Sequence, residues 1–209
     1  MAGNMIFHHT PSSRADIVFW MLEELGQPYE MRTVAIGRGE QKSPDYLALN
    51  PMGKVPTLEH DGVILTEAAA ICCFLADRYP QAGLNVPIDD PRRGPYLKWL
   101  FFGPSCVEIA ILDKVYKREV PPNGALGYGD YETTVSVLTE AVKTGPYILG
   151  DRFTTADVVI GSQIVWGIAI KGLERTPEIG AYADRMMQRP ALQRAFARDA
   201  ELIKAGARG

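Results

Sequence analysis

Apolar positions change their period along this chain. Up to Pro80, strand and helix patterns alternate. "MIFHH" at Met5–His9 is a short apolar strand candidate. "SSRADIVFWMLEELG" then sets Ile17, Val18, Met21, Leu22 and Leu25 at the three-and-four spacing of a helix face, with Gly26 as its stop. "PYEMRTVAI" alternates like a second strand, and "SPDYLALNP" is short enough for one helical turn or two. "VPTLEHDGVIL" predicts two brief strands joined at Asp61-Gly62, a tight-hairpin dipeptide. "TEAAAICCFLADRYP" closes this half as a helix ended by Pro80. The predicted order, β-α-β-α-β-β-α, implies a small mixed sheet covered by helices.

Beyond residue 80 the pattern is helical throughout. "PQAGLNVPIDDP" has the proline, glycine and acid content of a linker. Helices are predicted near Arg92–Arg118, Gly129–Thr144, Thr154–Lys171, Pro177–Gln188 and Pro190–Lys204, the first kinked at Pro104. The fold class is therefore α/β followed by all-α, divided as residues 1–80, a linker at 81–91 and a helical domain at 92–209. In "DRFTTADVVIG", Thr154 and Asp157 have the spacing of a reciprocal capping box, and Phe153 can staple onto Val158.

Composition narrows the classes of partner. The 209 residues are 46% hydrophobic and 22% charged, enough for a real core, and the net charge is -3. A mildly acidic chain without a basic patch attracts neither nucleic acid nor an anionic membrane; "DDPRR" at Asp89–Arg93 is balanced and suits a solvated turn. The longest apolar run, Ala68–Ala76, is far below the roughly 18 to 20 residues of a membrane span. "MAGNMIFHHTP" lacks the basic-then-apolar pattern of a signal peptide. Cys72, Cys73 and Cys106 form no metal or redox spacing, and His8, His9 and His60 are too poorly spaced for a metal site. A cytoplasmic protein without a metal is the expectation.

Two residues in "KVPTLEHDGVILTEAAA" are costly unless they have a use. Pro56 directly precedes a strand, whose ladder proline cannot donate to. Glu67 stands where an apolar helix begins, and a carboxylate there needs a partner or water. Taken singly, they suit an edge device and a helix-dipole partner.

"NPMGKVPTLEHDGVILTEAAAICCFLADRYP" followed by "GDRFTTADVVIG" resembles the cytosolic glutathione transferases of bacterial type, over nearly the whole chain. The resemblance implies a thioredoxin-like first domain, an all-helical second domain, a homodimer and glutathione as co-substrate. It implies a cis Val55-Pro56 bond, with the Val55 main chain pairing with the cysteinyl part of glutathione as an added strand would. Glu67 would meet the γ-glutamyl ammonium, and the γ-glutamyl carboxylate would sit on free N–H groups at the helix start. Gln41, Lys42 and Lys54 are candidates for the glycine carboxylate. Related proteins commonly carry serine or threonine where this chain has Ala68, which keeps its N–H but lacks the hydroxyl, so weak glutathione affinity is expected.

The chemistry is expected in "HHTPSSRADI". A free thiol has a pKa near 8.5, and lowering it by two units takes roughly 2.7 kcal/mol of preference for the anion. A hydroxyl donor beside a helix N-terminus can contribute this. By the resemblance, Ser13 is that donor, with Ser12 and Thr10 as rivals and Arg14 adding positive potential; Ser13 and Asp16 also have a capping-box spacing. No cysteine occupies this loop, against a mixed-disulfide branch. Phe102, Cys106 and Ile109 share a helix face by the i, i+4, i+7 rule, and with Ser12 and Tyr116 are expected to line an apolar pocket for the electrophile between the domains. The expected activity is glutathione S-transfer to hydrophobic electrophiles. The alternatives are a non-catalytic ligand-binding or assembly protein, or a glutathione-dependent dehalogenase, peroxidase or isomerase.

Overall fold

The computed structural model describes residues 4–207; the first three residues of the start read for a leader and the last two of the chain lie outside them. The chain divides into two compact units, one running to Ala82 and resuming at Pro190, the other Gly83–Arg189. No helix among the described residues is long and apolar enough to cross a membrane.

In the first unit, β1 (Met5–His9), β2 (Glu30–Thr33), β3 (Thr57–His60) and β4 (Val63–Thr66) form one thioredoxin-like sheet in the order β2-β1-β3-β4. β1 and β2 are parallel, as a crossover helix requires, and the other pairs are antiparallel. The β3–β4 hairpin turns at Asp61 and Gly62, both at positive φ, 49° and 82°, as the Asp-Gly dipeptide predicts. β2 is shorter than its alternation suggested, because Thr33 already pairs with His9, the last residue of β1. Two 3-10 turns, Ile36–Arg38 and Glu40–Lys42, then lead to α2 (Pro44–Leu49).

The crossover helix α1 (Ala15–Leu25) buries the predicted Ile17, Val18, Met21, Leu22 and Leu25, and Phe19 and Trp20 as well. Such wide burial needs cover on more than one side. α3 (Ala68–Arg78) and α9 (Pro190–Lys204) both pack on α1. The last helix thus groups with the sheet unit instead of the helical half expected to run to residue 209. Glu23 of α1 accepts from Arg194 at 2.9 Å and Arg198 at 2.8 Å, which ties α9 in place. Cys72 is fully buried on α3 and desolvation pushes its thiol pKa up, as inert packing requires.

In the second unit, α4 (Arg93–Phe102) and α5 (Glu108–Tyr116) flank a π turn at Gly103–Val107. Proline has no N–H to give, and the widened turn around Pro104 absorbs it. Gly103 is needed there, since a Cβ would stand 2.8 Å from Val159 Cγ1. The unit continues with α6 (Tyr131–Lys143), α7 (Thr155–Ala169) and α8 (Pro177–Met187). α7 is buried on nearly every side and begins with the predicted capping box of Thr154 and Asp157. Phe153, expected as a staple, stacks edge-on to Tyr147 and lies beneath the Arg189 guanidinium. The stretch read as a linker is pinned: Arg152 donates to the carbonyls of Gly83 and Asn85 at 2.7 and 2.8 Å.

Candidate functional site

The register of the sheet decides what meets. His9 lies opposite Thr33, His8 opposite Thr57, and Thr57 opposite Thr66. The turn after β1, the loop after β2, the residues before β3 and Glu67 after β4 therefore leave the sheet at one end. Adjacent strands are spaced about 4.8 Å apart, so segments distant in sequence become neighbours here. The N-termini of α1 and α3 belong to the same end.

Before β3, the Val55-Pro56 peptide bond is cis. The β1–β3 pairing begins at Thr57, so the main chain of half-buried Val55 lies outside the ladder. The Pro51–Lys54 loop leading to it is braced from within. Asn50 Nδ2 donates to the Lys54 carbonyl at 2.8 Å, and Met52 N–H donates to Asn50 Oδ1 at 3.1 Å. Lys42 crosses this loop and donates to the Met52 carbonyl at 3.1 Å. Gly53 has φ +59, and a Cβ on it would stand 2.6 Å from Lys42 Nζ and 2.7 Å from the Gln41 carbonyl. The loop thus sets Gln41 and Lys42 against Met52 and Gly53, next in sequence to Lys54. Lys42 and Lys54 are exposed; Gln41 Oε1 is buried without a hydrogen-bond partner among the described residues.

After β4, Glu67 adopts φ 67° and ψ 112° at the N-cap of α3 and makes no side-chain cap hydrogen bond. A side chain at positive φ costs about 1 to 3 kcal/mol and persists where the surroundings demand it. The carboxylate is exposed and makes no hydrogen bond to its own helix, although at the N-cap it still complements the helix dipole. Ala68 opens α3 and is half-buried.

After β1, the turn sorts its three hydroxyls. Thr10 is fully buried and donates to the Val34 carbonyl at 2.5 Å. It is thereby removed as a rival for a sulfur contact. Ser13 is half-buried; its hydroxyl donates to the Thr10 carbonyl at 2.6 Å and accepts from Ala15 N–H at 3.1 Å. Ser12 is exposed at φ 58°. The hydrogen of Ser13 is therefore spent on the turn, while Ser12 is exposed to solvent. Sequence spacing showed both serines but not where either hydrogen points.

The shared face expected for Phe102, Cys106 and Ile109 assumed an unbroken α-helix. The π turn inserts a residue, which rotates Cys106 and Ile109 from Phe102 by about 100° relative to that expectation. All three are half-buried, and Tyr116 is 70% exposed on the last turn of α5.

Residues 11–78 match the family model described as glutathione S-transferase, N-terminal domain. The chain is 31% identical over 186 residues to glutathione S-transferase GstA of Escherichia coli O157:H7, spanning 84% of this chain and 89% of that protein. It is 33% identical over 167 residues to glutathione S-transferase 1 of Schizosaccharomyces pombe, spanning 76% of this chain and 73% of the relative. Among solved structures, a glutathione transferase homologue from Sulfitobacter with bound glutathione superposes with a TM-score of 0.75 at 27% identity, covering 95% of this chain and 99% of that one.

Proposed function

Because the chain belongs to the glutathione S-transferase family, we propose that it binds glutathione at the shared end of its sheet and conjugates it through its sulfur to a hydrophobic electrophile, as a serine-type enzyme of bacterial type. The observation that carries this reading is the register, which collects Ser12, Ser13, Val55, Glu67 and the Gln41–Lys42–Lys54 group at one end.

Each residue has a role that its geometry permits. The unladdered main chain of Val55 pairs with the cysteinyl segment as an added strand would. The exposed Glu67 carboxylate accepts from the γ-glutamyl ammonium, and the N–H groups opening α3 at Ala68 hold the γ-glutamyl carboxylate. Lys42 and Lys54, with Gln41, face the glycine carboxylate. The missing hydroxyl at Ala68 removes one charge-assisted hydrogen bond, about 1.5 to 3 kcal/mol, and keeps affinity modest. A hydroxyl on the β1–α1 turn donates to the sulfur, and the positive end of α1 favours the thiolate. Ser13 does so by exchanging the Thr10 carbonyl for the sulfur, a swap that Ser12 does not need. The thiol proton goes to solvent, and the thiolate forms a carbon–sulfur bond to the electrophile held against it; with an aromatic halide the carbon–halogen bond breaks and halide leaves. The protein then acts in the cytoplasm as a homodimer.

The test is a calorimetric glutathione titration with turnover of an aromatic halide, on the parent and on Ser12→Ala and Ser13→Ala. Loss of turnover in one serine variant with glutathione affinity retained assigns the donor. Full turnover and an unchanged pH profile in both would remove the serine mechanism. Binding without turnover in the parent would favour a carrier of apolar ligands.

A further inference from the structure

The last helix places a carboxylate beneath the serine turn. His9 ends β1 and is fully buried, its ring 5.2 Å from that of Phe7 and 5.0 Å from that of Phe19. Its Nε2 lies 2.7 Å from Asp199 Oδ1 on α9. A carboxylate only accepts, so Nε2 donates and Asp199 sets which ring nitrogen holds the hydrogen. Nδ1 has no hydrogen-bond partner among the described residues. Polar atoms of His9, Asp16 and Asp199 all lie within 4.8 Å of one another. One largely buried group, with Asp16 half-buried, thus joins the last residue of β1, the first turn of α1 and the far end of the chain, and the serine turn hangs between the first two.

The rest of the turn's base is backbone. The His9 carbonyl accepts from Val34 N–H at 2.8 Å, and Ser13 rests on the Thr10 carbonyl at 2.6 Å. That carbonyl fixes where the Ser13 oxygen sits, and so the point from which its hydrogen can turn to the sulfur. Anchoring α9 does not by itself call for a buried pair, since Arg194 and Arg198 already clamp the helix to Glu23. Burying ionisable partners is costly and is a poor device for stability alone.

We propose that Asp199 is a positioning residue for glutathione activation: by holding the His9 ring it fixes the strand end from which the Ser12 and Ser13 hydroxyls are presented, and so governs ionisation of the bound thiol rather than glutathione affinity. This rests on the transferase reading above. Asp199 acts through His9 and touches no substrate.

Asp199→Asn, Asp199→Glu and Glu23→Gln are compared with the parent in glutathione affinity, ultraviolet thiolate absorbance across pH, kcat and KM. Asp199→Asn is expected to lower kcat roughly tenfold to a hundredfold and to move thiol ionisation to higher pH, with glutathione affinity retained. Asp199→Glu restores part of the loss. Glu23→Gln, which loosens α9 elsewhere, lowers stability without moving the thiol titration. A folded Asp199→Asn with the parent's titration and kcat overturns the proposal. Should that variant not fold, His9→Gln carries the same readouts, and an unmoved titration there overturns it equally. A parent that binds no glutathione overturns the transferase reading and this inference together; a parent that binds and ionises it, matched by Asp199→Asn, overturns this inference alone.

Discussion

Tyr46 Oη lies 2.7 Å from the Lys54 carbonyl and 2.9 Å from Thr57 Oγ1. The phenol is buried, and it joins α2 to the loop that ends at the cis bond.

Tyr46→Phe removes that hydroxyl while keeping the ring. The loss of the hydrogen bond is expected to cost about 0.5 to 1.5 kcal/mol, read by denaturant unfolding. Glutathione affinity should fall with it, because the loop before Val55 loses a brace. A calorimetric titration that shows unaltered affinity would separate the loop from the site.

Glu67 carries both strain and charge, and two substitutions separate them. Alanine removes the carboxylate and keeps a side chain at φ 67°; glycine removes both. Glu67→Gly is expected to be more stable than Glu67→Ala by about 1 kcal/mol, read as a higher Tm. Both should lose glutathione affinity alike, by roughly tenfold to a hundredfold for one charge-assisted hydrogen bond. Equal melting points would remove the strain argument, and retained affinity would remove the ammonium contact.

The capping box at α7 is a test of the fold. Asp157 accepts from Ile148 N–H at 2.7 Å, Thr154 N–H at 2.9 Å and the Tyr182 hydroxyl at 2.8 Å. Desolvation raises its pKa despite these bonds. Thr154→Ala should cost about 0.5 to 2 kcal/mol. Asp157→Ala should cost more, because each buried donor left unpaired is worth about 1 to 3 kcal/mol. Thermal unfolding of the two variants checks the order, and the reverse order would contradict it.

Glu23 gives stability a pH dependence. Burial raises its pKa, but hydrogen bonds from Arg194, Tyr29 and Arg198, with the Arg198 charge, outweigh this and hold it below the usual carboxylate range. A carboxyl lowered in the folded state stabilises fully above its unfolded value, and that stability is lost as pH falls through the folded value. The stability gap between the parent and Glu23→Gln should therefore persist at neutral pH and close as pH falls below the ordinary glutamate range. Urea unfolding across pH measures it; a gap indifferent to pH would show that the clamp contributes nothing through charge.

Most of the architecture was legible because its signals are local. The α1 face at Ile17, Val18, Met21, Leu22 and Leu25, the Asp61-Gly62 hairpin and the Thr154–Asp157 box each depend on residues within a turn or two of one another. The candidate site was legible as a list, through the spacing of Val55-Pro56 and Glu67 within one resemblance. Its internal arrangement was not. The hydrogen of Ser13 goes to the Thr10 carbonyl, and the π turn at Gly103–Val107 breaks a face that regular spacing had drawn.

By itself, the order of residues determined which strands and helices form and in what sequence, and which side chains had no cheap local explanation. Packing decided which of these came together. Four strand ends meet only through register, α9 returns to the sheet unit through Glu23, and Asp199 reaches His9 across 190 positions. The reason is range: periodicity and capping are settled within a few residues, whereas the partner of a buried polar atom is whichever group the folded core brings to it.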